Sequence, residues 1–165
     1  MIAVVVLLVI LVLLVVFVIT QYNSLVRLRN ETQNAWAQVD VVLRRRYDLV
    51  PNLVETVKGY AAHERETLEA VIQARSGAID ASAVADQADS ENMLSGALKR
   101  LFALSEAYPA LKADNNFMEL QKELVQTEGL IGYARASYNE SVLTFNNKVQ
   151  VFPSNIVAGM FSFEL

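Results

Sequence analysis

The chain of 165 residues contains no cysteine. Disulfide bonds, thiolate metal sites, cysteine nucleophiles and cysteine acylation are therefore excluded. His63 is the only histidine, whereas a zinc-protease helix or a ferritin-like metal bundle needs two. The six glycines are isolated and form no phosphate-binding loop. We therefore expect no catalytic, cofactor-binding or metal-binding residues, no cofactor and no enzymatic activity.

Charged side chains are absent from the first 26 residues. Residues 1–19 read MIAVVVLLVILVLLVVFVI, and as a helix they span roughly 28 Å, close to the thickness of a bilayer's hydrocarbon core. A cleaved signal peptide is the alternative, but the run has no basic start and no small-x-small cleavage site. We predict an uncleaved transmembrane anchor over residues 1–20. Because Arg27 and Arg29 are the first charged residues after it, the N-terminus is expected outside and the rest in the cytoplasm.

The residues after the anchor carry the whole formal charge of −4, from 14 Lys and Arg against 18 Asp and Glu. Proteins that neutralise nucleic-acid phosphates are usually basic with clustered cations. Here the cations are scattered, apart from the run Arg44, Arg45 and Arg46. We therefore expect no nucleic-acid partner.

Apolar residues at alternating steps of three and four predict amphipathic helices, and no strand pattern is present. The first such stripe comprises Leu25, Leu28, Thr32, Ala35, Trp36, Val39, Leu43 and Tyr47. No glycine or proline lies between Met1 and Val50, so this helix should continue from the anchor without a joint. A break is expected around Asp48 and Pro51, because proline disfavours helical geometry in the preceding residue.

Three further helices follow in the sequence pattern. The second is expected from Pro51 to near Gly77, the third from near Ser90 to Tyr108, and residues 78–90 read as a connection. The fourth, over about 117–149, keeps a rhythm typical of coiled coils. Its cap candidates are Asp114, Asn115 and Asn116, and its two glycines, Gly129 and Gly132, suggest a close helix–helix approach.

Short connections between four long helices predict an all-α fold, in which the transmembrane helix continues into an antiparallel up-and-down four-helix bundle. The bundle is assigned to residues 21–150. Residues 151–165 form an apolar C-terminal tail, which lies near the membrane because the fourth helix runs back toward it. The tail either rests at the membrane interface or caps the open end of the bundle. The membrane-interface candidates are Tyr22, Arg27, Arg29, Phe152, Ile156, Met160, Phe161 and Phe163.

Three sequence blocks together closely resemble the LemA family. They are YNSLVRLRNETQNAWAQVDVVLRRRYDLVPNLVETVKGYAAHERETLEAVIQAR from Tyr22, AYPALKADNNFMELQKELVQTEGLIGYARASYNESVLTFNNKVQ from Ala107, and FPSNIVAGMF from Phe152. The resemblance implies a bacterial cytoplasmic-membrane protein that is not an enzyme, with a single-pass anchor and a cytoplasmic helical bundle. It also implies a link to membrane proteostasis, with a membrane protease or another membrane protein as a partner.

The sequence leaves two functional hypotheses of different classes. The first is a membrane-tethered scaffold or adaptor that forms homo-oligomers and presents its helical surface to other proteins. The surplus apolar residues Val41, Val42 and Val125 favour self-association. The second is a lipid-directed module, in which the C-terminal tail, Arg27 and Arg29 bind or shape the membrane surface.

Overall fold

A single 57-residue helix, α1 (Ile2–Lys58), begins in the apolar run. The computed structural model describes residues 1–81 and 84–164, and for residue 85 the backbone alone. The other helices are α2 (Arg65–Asp80), α3 (Val84–Leu104), α4 (Pro109–Lys112), α5 (Asn115–Gln150) and α6 (Ser154–Met160), with a 3-10 turn at Ser105–Ala107. The described residues contain no strand. The all-α prediction is confirmed, and so is the unbroken helix from the apolar run into the first stripe.

The chain divides into two compact units, Met1–Asp40 with Gly132–Leu165, and Val41–Ile131. In the first unit α1 and α5 run antiparallel, because Trp36 lies beside Tyr138 with ring centroids 5.1 Å apart, and Leu25 shares an apolar core with Phe145. Trp36, expected in the core, is only half-buried. Within the described part of the chain, α1 is the one helix long and apolar enough to cross a membrane.

The second unit is a four-helix bundle made by the end of α1, α2, α3 and the start of α5. Near one end, Tyr47 contacts Ala78 at the end of α2 and Glu91 near the start of α3. Near the other end, the Tyr60 hydroxyl donates to Asp114 just before α5, at 2.8 Å. Successive segments therefore alternate in direction, as the up-and-down prediction requires.

The expected break at Pro51 is absent, because α1 continues through this proline to Lys58. Proline has no N–H, so the Tyr47 carbonyl, four residues earlier, loses its helical donor. The Arg75 side chain replaces that donor, since its Nε lies 2.7 Å from the Tyr47 oxygen. A tertiary contact thus satisfies the freed carbonyl and allows the helix to continue, which local sequence rules do not anticipate.

The Arg75 contact predicts that the stability lost on replacing Arg75 depends on whether residue 51 is proline. Arg75→Met should lower the free energy of unfolding by about 1.5–3 kcal/mol, the usual value of a hydrogen bond from a charged donor. In a Pro51→Ala background residue 51 regains its N–H and bonds the Tyr47 carbonyl, so the same substitution should cost much less. Urea denaturation of the full chain in mild detergent measures both costs. Equal costs in the two backgrounds would contradict this role of Arg75.

The segment predicted as a connection, residues 78–90, is mostly helical. Helix α2 extends to Asp80 and α3 begins at Val84 rather than near Ser90, and residues 82 and 83 lie outside the described residues. Alanine is the strongest helix former and is frequent here. In addition, the Gln87 side-chain amide donates to the Ala78 carbonyl at 2.9 Å, which satisfies an acceptor near the end of α2.

Helix α5 begins as its cap candidates predict. The Phe117 N–H donates to the Asp114 carboxylate at 2.9 Å, the usual N-cap bond to the third helical residue. This backbone bond, and then the Tyr60 hydroxyl, lower the pKa of the Asp114 carboxyl. The prediction for Gly129 and Gly132 is wrong within the described residues, because a Cβ at either position would meet no atom within 4 Å.

Candidate membrane-interface site

The C-terminal segment of the first unit packs against α1 just after the apolar run. Tyr22 lies three residues past Ile19, about 4.5 Å of helix rise. Its ring contacts Phe161 and Phe163 edge to face, with centroids 4.8 and 5.8 Å apart. Three of the predicted interface residues, Tyr22, Phe161 and Phe163, are therefore brought together.

A small apolar core holds this segment in place. Its buried members are Leu25, Phe145, Val157, Ala158 and Phe163. Side chains from both long helices pack partly against it, namely Phe17, Val18, Val26, Leu28 and Val149. Since Phe17 and Val18 belong to the apolar run, the core of the first unit begins within the last turn of the predicted anchor.

Ser154 joins the end of α5 to α6. Its buried hydroxyl lies 2.6 Å from the Lys148 carbonyl and 2.8 Å from the Val151 carbonyl. The Lys148 carbonyl belongs to the last turn of α5, where helical acceptors lack an N–H partner four residues on. The Val151 carbonyl follows α5 and also accepts the Asn155 N–H at 3.0 Å. This contact sets the start of α6 and turns its buried face, with Val157 and Ala158, onto the apolar core.

The opposite face of α6 is apolar and exposed. Ile156 and Met160 lie one turn apart on it and are 55% and 67% exposed. Phe152, just before the helix, is 74% exposed, and Phe161 is 48% exposed. The tail candidates therefore differ in burial. Phe163 is buried in the core of the first unit, whereas Phe152, Ile156 and Met160 are exposed.

The two arginines near the anchor occupy different positions. The Arg29 guanidinium stands over the Phe163 ring, with its Cζ 5.1 Å from the centroid, a cation–π arrangement. Arg27 is exposed and its Nε lies 3.7 Å from Glu31, one turn along the same helix. Neither contact removes the positive charge from the surface of the first unit.

A buried polar network in the second unit was missed from the sequence. Arg46 is 3% exposed and Glu91 4%. The Arg46 Nη1 lies 3.0 Å from a carboxylate oxygen of Glu91 and 3.0 Å from one of Glu128, while Nη2 donates to the Ser95 hydroxyl at 2.8 Å. Spacing gave a signal, since Arg46 follows Leu43 by three residues and lies on the same helix face.

Tyr47 extends this network but offers no reactive group. Its hydroxyl donates to Glu91 and accepts a bond from the Gln87 amide at 2.9 Å. Burial, and next the bond to Glu91, raise the pKa of Tyr47, so its phenol stays protonated as a donor. The network therefore fixes α1 against α2 and α3.

The described residues also hold no group of three or more His, Cys, Asp or Glu side chains placed to bind a metal ion. The single histidine, His63, is exposed in the connection between α1 and α2. The site with the clearest functional geometry is therefore the apolar surface of α6 beside the anchor.

Comparison with known proteins gives a consistent set of relatives. The model of the LemA family matches residues 35–165. Protein LemA of Metamycoplasma hominis is 30% identical over 140 residues, covering 82% of this chain and 63% of the relative. Magnetosome protein MamQ 2 of Paramagnetospirillum magneticum is 26% identical, covering 89% of this chain and 64% of the relative. Magnetosome protein MamQ of Magnetospirillum gryphiswaldense is 24% identical with the same coverage.

The chain thus spans slightly less than two thirds of the length of these relatives. None of their names is the name of an enzyme.

Proposed function

The chain belongs to the LemA family, and from that premise we propose that it is a non-enzymatic scaffold, tethered to a bacterial cytoplasmic membrane. Its bundle faces the cytoplasm, associates with copies of itself and offers helical surface to other proteins. The family and the apolar N-terminal helix support the coarser statement of a membrane-associated helical protein. The cytoplasmic-membrane location, the orientation of the bundle, self-association and the adaptor role are the proposed part.

A groove on the second unit carries this proposal. It is lined by Arg46 from α1, by Ser95, Leu98, Lys99 and Phe102 from α3, and by Leu124, Val125 and Glu128 from α5. Leu98 and Leu124 are buried in this groove, and the exposed side chains around them include Lys99 and Glu128. Val125 on the rim is largely exposed, and so is Val41 on α1. Exposed apolar side chains within a polar rim are typical of protein interaction surfaces.

A second copy of the chain suits this groove. In a two-fold contact the same surface meets itself, so Lys99 of one copy is able to approach Glu128 of the other. Glu128 keeps its 3.0 Å contact with Arg46, but its side chain is 56% exposed and open to a second cation.

The anchor assists such contacts without specifying them. Residues 1–19 carry no polar side chain and no small-xxx-small motif, so their packing in lipid provides little specificity. Anchors in one membrane nevertheless hold copies parallel and raise their local concentration. A weak contact between second units is then sufficient for assembly.

Site-specific photo-crosslinking in native membranes tests the proposal. A photoreactive residue in place of Val125 should give adducts at the mass of two copies. The same residue in place of Glu69, exposed on α2 outside the lining of the groove, is the matched control and should give few. Adducts of the Val125 probe with a membrane protease or another membrane protein would support the adaptor role alone. No adduct above the Glu69 control would contradict both roles.

A further inference from the structure

We propose that α6 is a second membrane contact of this chain, whose exposed face lies in the headgroup region of the bilayer that the anchor crosses. This face is made by Phe152, Ile156, Met160 and Phe161. The inference concerns the first unit and does not depend on the groove or on self-association.

The depth of α6 follows from its packing. Its buried face shares a core with Leu25, against which Phe17 and Val18 are also packed. Phe17 lies two residues before the end of the apolar run, so its side chain belongs to the hydrocarbon edge of a membrane. Tyr22, in contact with Phe161, lies where interfacial aromatics are common. Because this segment packs at the hydrocarbon edge and also against Tyr22, α6 lies within reach of the headgroups.

The chemistry of this segment favours lipid as the occupant. No charged residue lies between Lys148 and Glu164, and the outward residues of the segment are mostly apolar. Arg27, Arg29 and Lys148 supply positive charge near the anchor on the two long helices. Apolar side chains with neighbouring cations are the usual composition of elements that lie in an anionic membrane surface.

The short length of α6 is compatible with this role. Seven helical residues bury too little apolar area to hold a free peptide on a membrane. Here the anchor already holds the segment at the bilayer, so its insertion is effectively intramolecular and needs only a small favourable free energy.

Lipid contact is measurable by fluorescence quenching on the full chain, because the absence of cysteine allows single labelling sites. Ile156→Cys and Met160→Cys would each carry an environment-sensitive fluorophore. The protein would be reconstituted at high dilution into vesicles of phosphatidylcholine and phosphatidylglycerol, with spin-labelled lipid near the headgroups. Glu140→Cys, exposed on α5 and ten residues before its end, is the control site.

The proposal expects blue-shifted emission and strong quenching at residues 156 and 160, and weak quenching at residue 140. A second chain combines Ile156→Glu and Met160→Glu with a label at Phe152→Cys, and it should lose quenching relative to Phe152→Cys alone. Both substituted side chains are exposed, so unchanged circular dichroism is expected and shows that the fold is retained. Quenching at residues 156 and 160 no greater than at residue 140 would overturn the proposal. The same result is expected if protein covers this face, because protein shields the label from the quencher in the lipid.

Discussion

Replacing Arg46 with methionine should lower the free energy of unfolding by about 3–5 kcal/mol, the cost of leaving one member of a buried ion pair without its partner. Glu91 is 4% exposed, and without Arg46 the Tyr47 hydroxyl is the one side-chain donor left to it among the described residues. Glu128 is affected less, because its side chain is 56% exposed and water is able to solvate it. Urea denaturation of the full chain in mild detergent measures the loss.

The neighbouring arginine provides a matched control. Arg45 is exposed on the same helix, so Arg45→Met should change stability by less than about 0.5 kcal/mol. A double variant, Arg46→Met with Glu91→Leu, removes both buried charges and should recover much of the loss. If Arg46→Met and Arg45→Met have similar effects, the buried network does not contribute as described.

The second large effect is expected at Phe163, where truncation to alanine should cost about 3–5 kcal/mol as the loss of a buried aromatic side chain. Its ring is 8% exposed and contacts Tyr22, Phe145 and Arg29. The loss should be confined to the first unit and should expose amides of residues 152–163. Hydrogen exchange on the full chain in detergent reports it directly.

Phe152→Ala is the matched control for this substitution. The two residues belong to the same segment and carry the same side chain, but the Phe152 ring is exposed. Its removal should leave exchange in the first unit nearly unchanged. If hydrogen exchange of residues 152–163 in both variants equals that of the parent chain, Phe163 does not hold the segment in place.

The helices and their buried faces were largely predictable, because helical spacing records which residues a core needs. The stripe from Leu25 to Tyr47 is buried or half-buried throughout. Helical spacing also places Met93 on the face of Ala97, one turn later, but Ala97 is buried whereas Met93 is exposed. A methionine on a helix face gives no information about how far a neighbouring helix extends over it.

Features that depend on tertiary partners were not predictable from local patterns. Pro51 reads as a helix break, and only the donor from Arg75 explains why α1 continues. Helical spacing places Arg46 on the face of Leu43, but only the convergence of Glu91, Ser95 and Glu128 explains how a charge is buried there. In each case a residue distant in sequence supplies the group that decides the outcome.

The interface candidates were predicted as a set, and the structure separates them by burial. Composition alone marks Phe163 and Phe152 as equivalent aromatics in an apolar tail. The structure distinguishes them, because Phe163 packs on Leu25 and Phe145 whereas Phe152 faces outward. Of these two aromatics in one tail, Phe163 is thus buried and Phe152 exposed, and no short-range sequence rule predicts this difference.

The molar mass of the intact protein tests the scaffold proposal most directly. Light scattering in mild detergent, with the detergent contribution subtracted, should give two or more times the 18.3 kDa of one copy. Val125→Lys should reduce it to a single copy, because a buried unpaired charge disfavours the groove contact. A mass of one copy for both the parent chain and the variant, with no crosslinks between copies in native membranes, would contradict self-association as the basis of this protein's function.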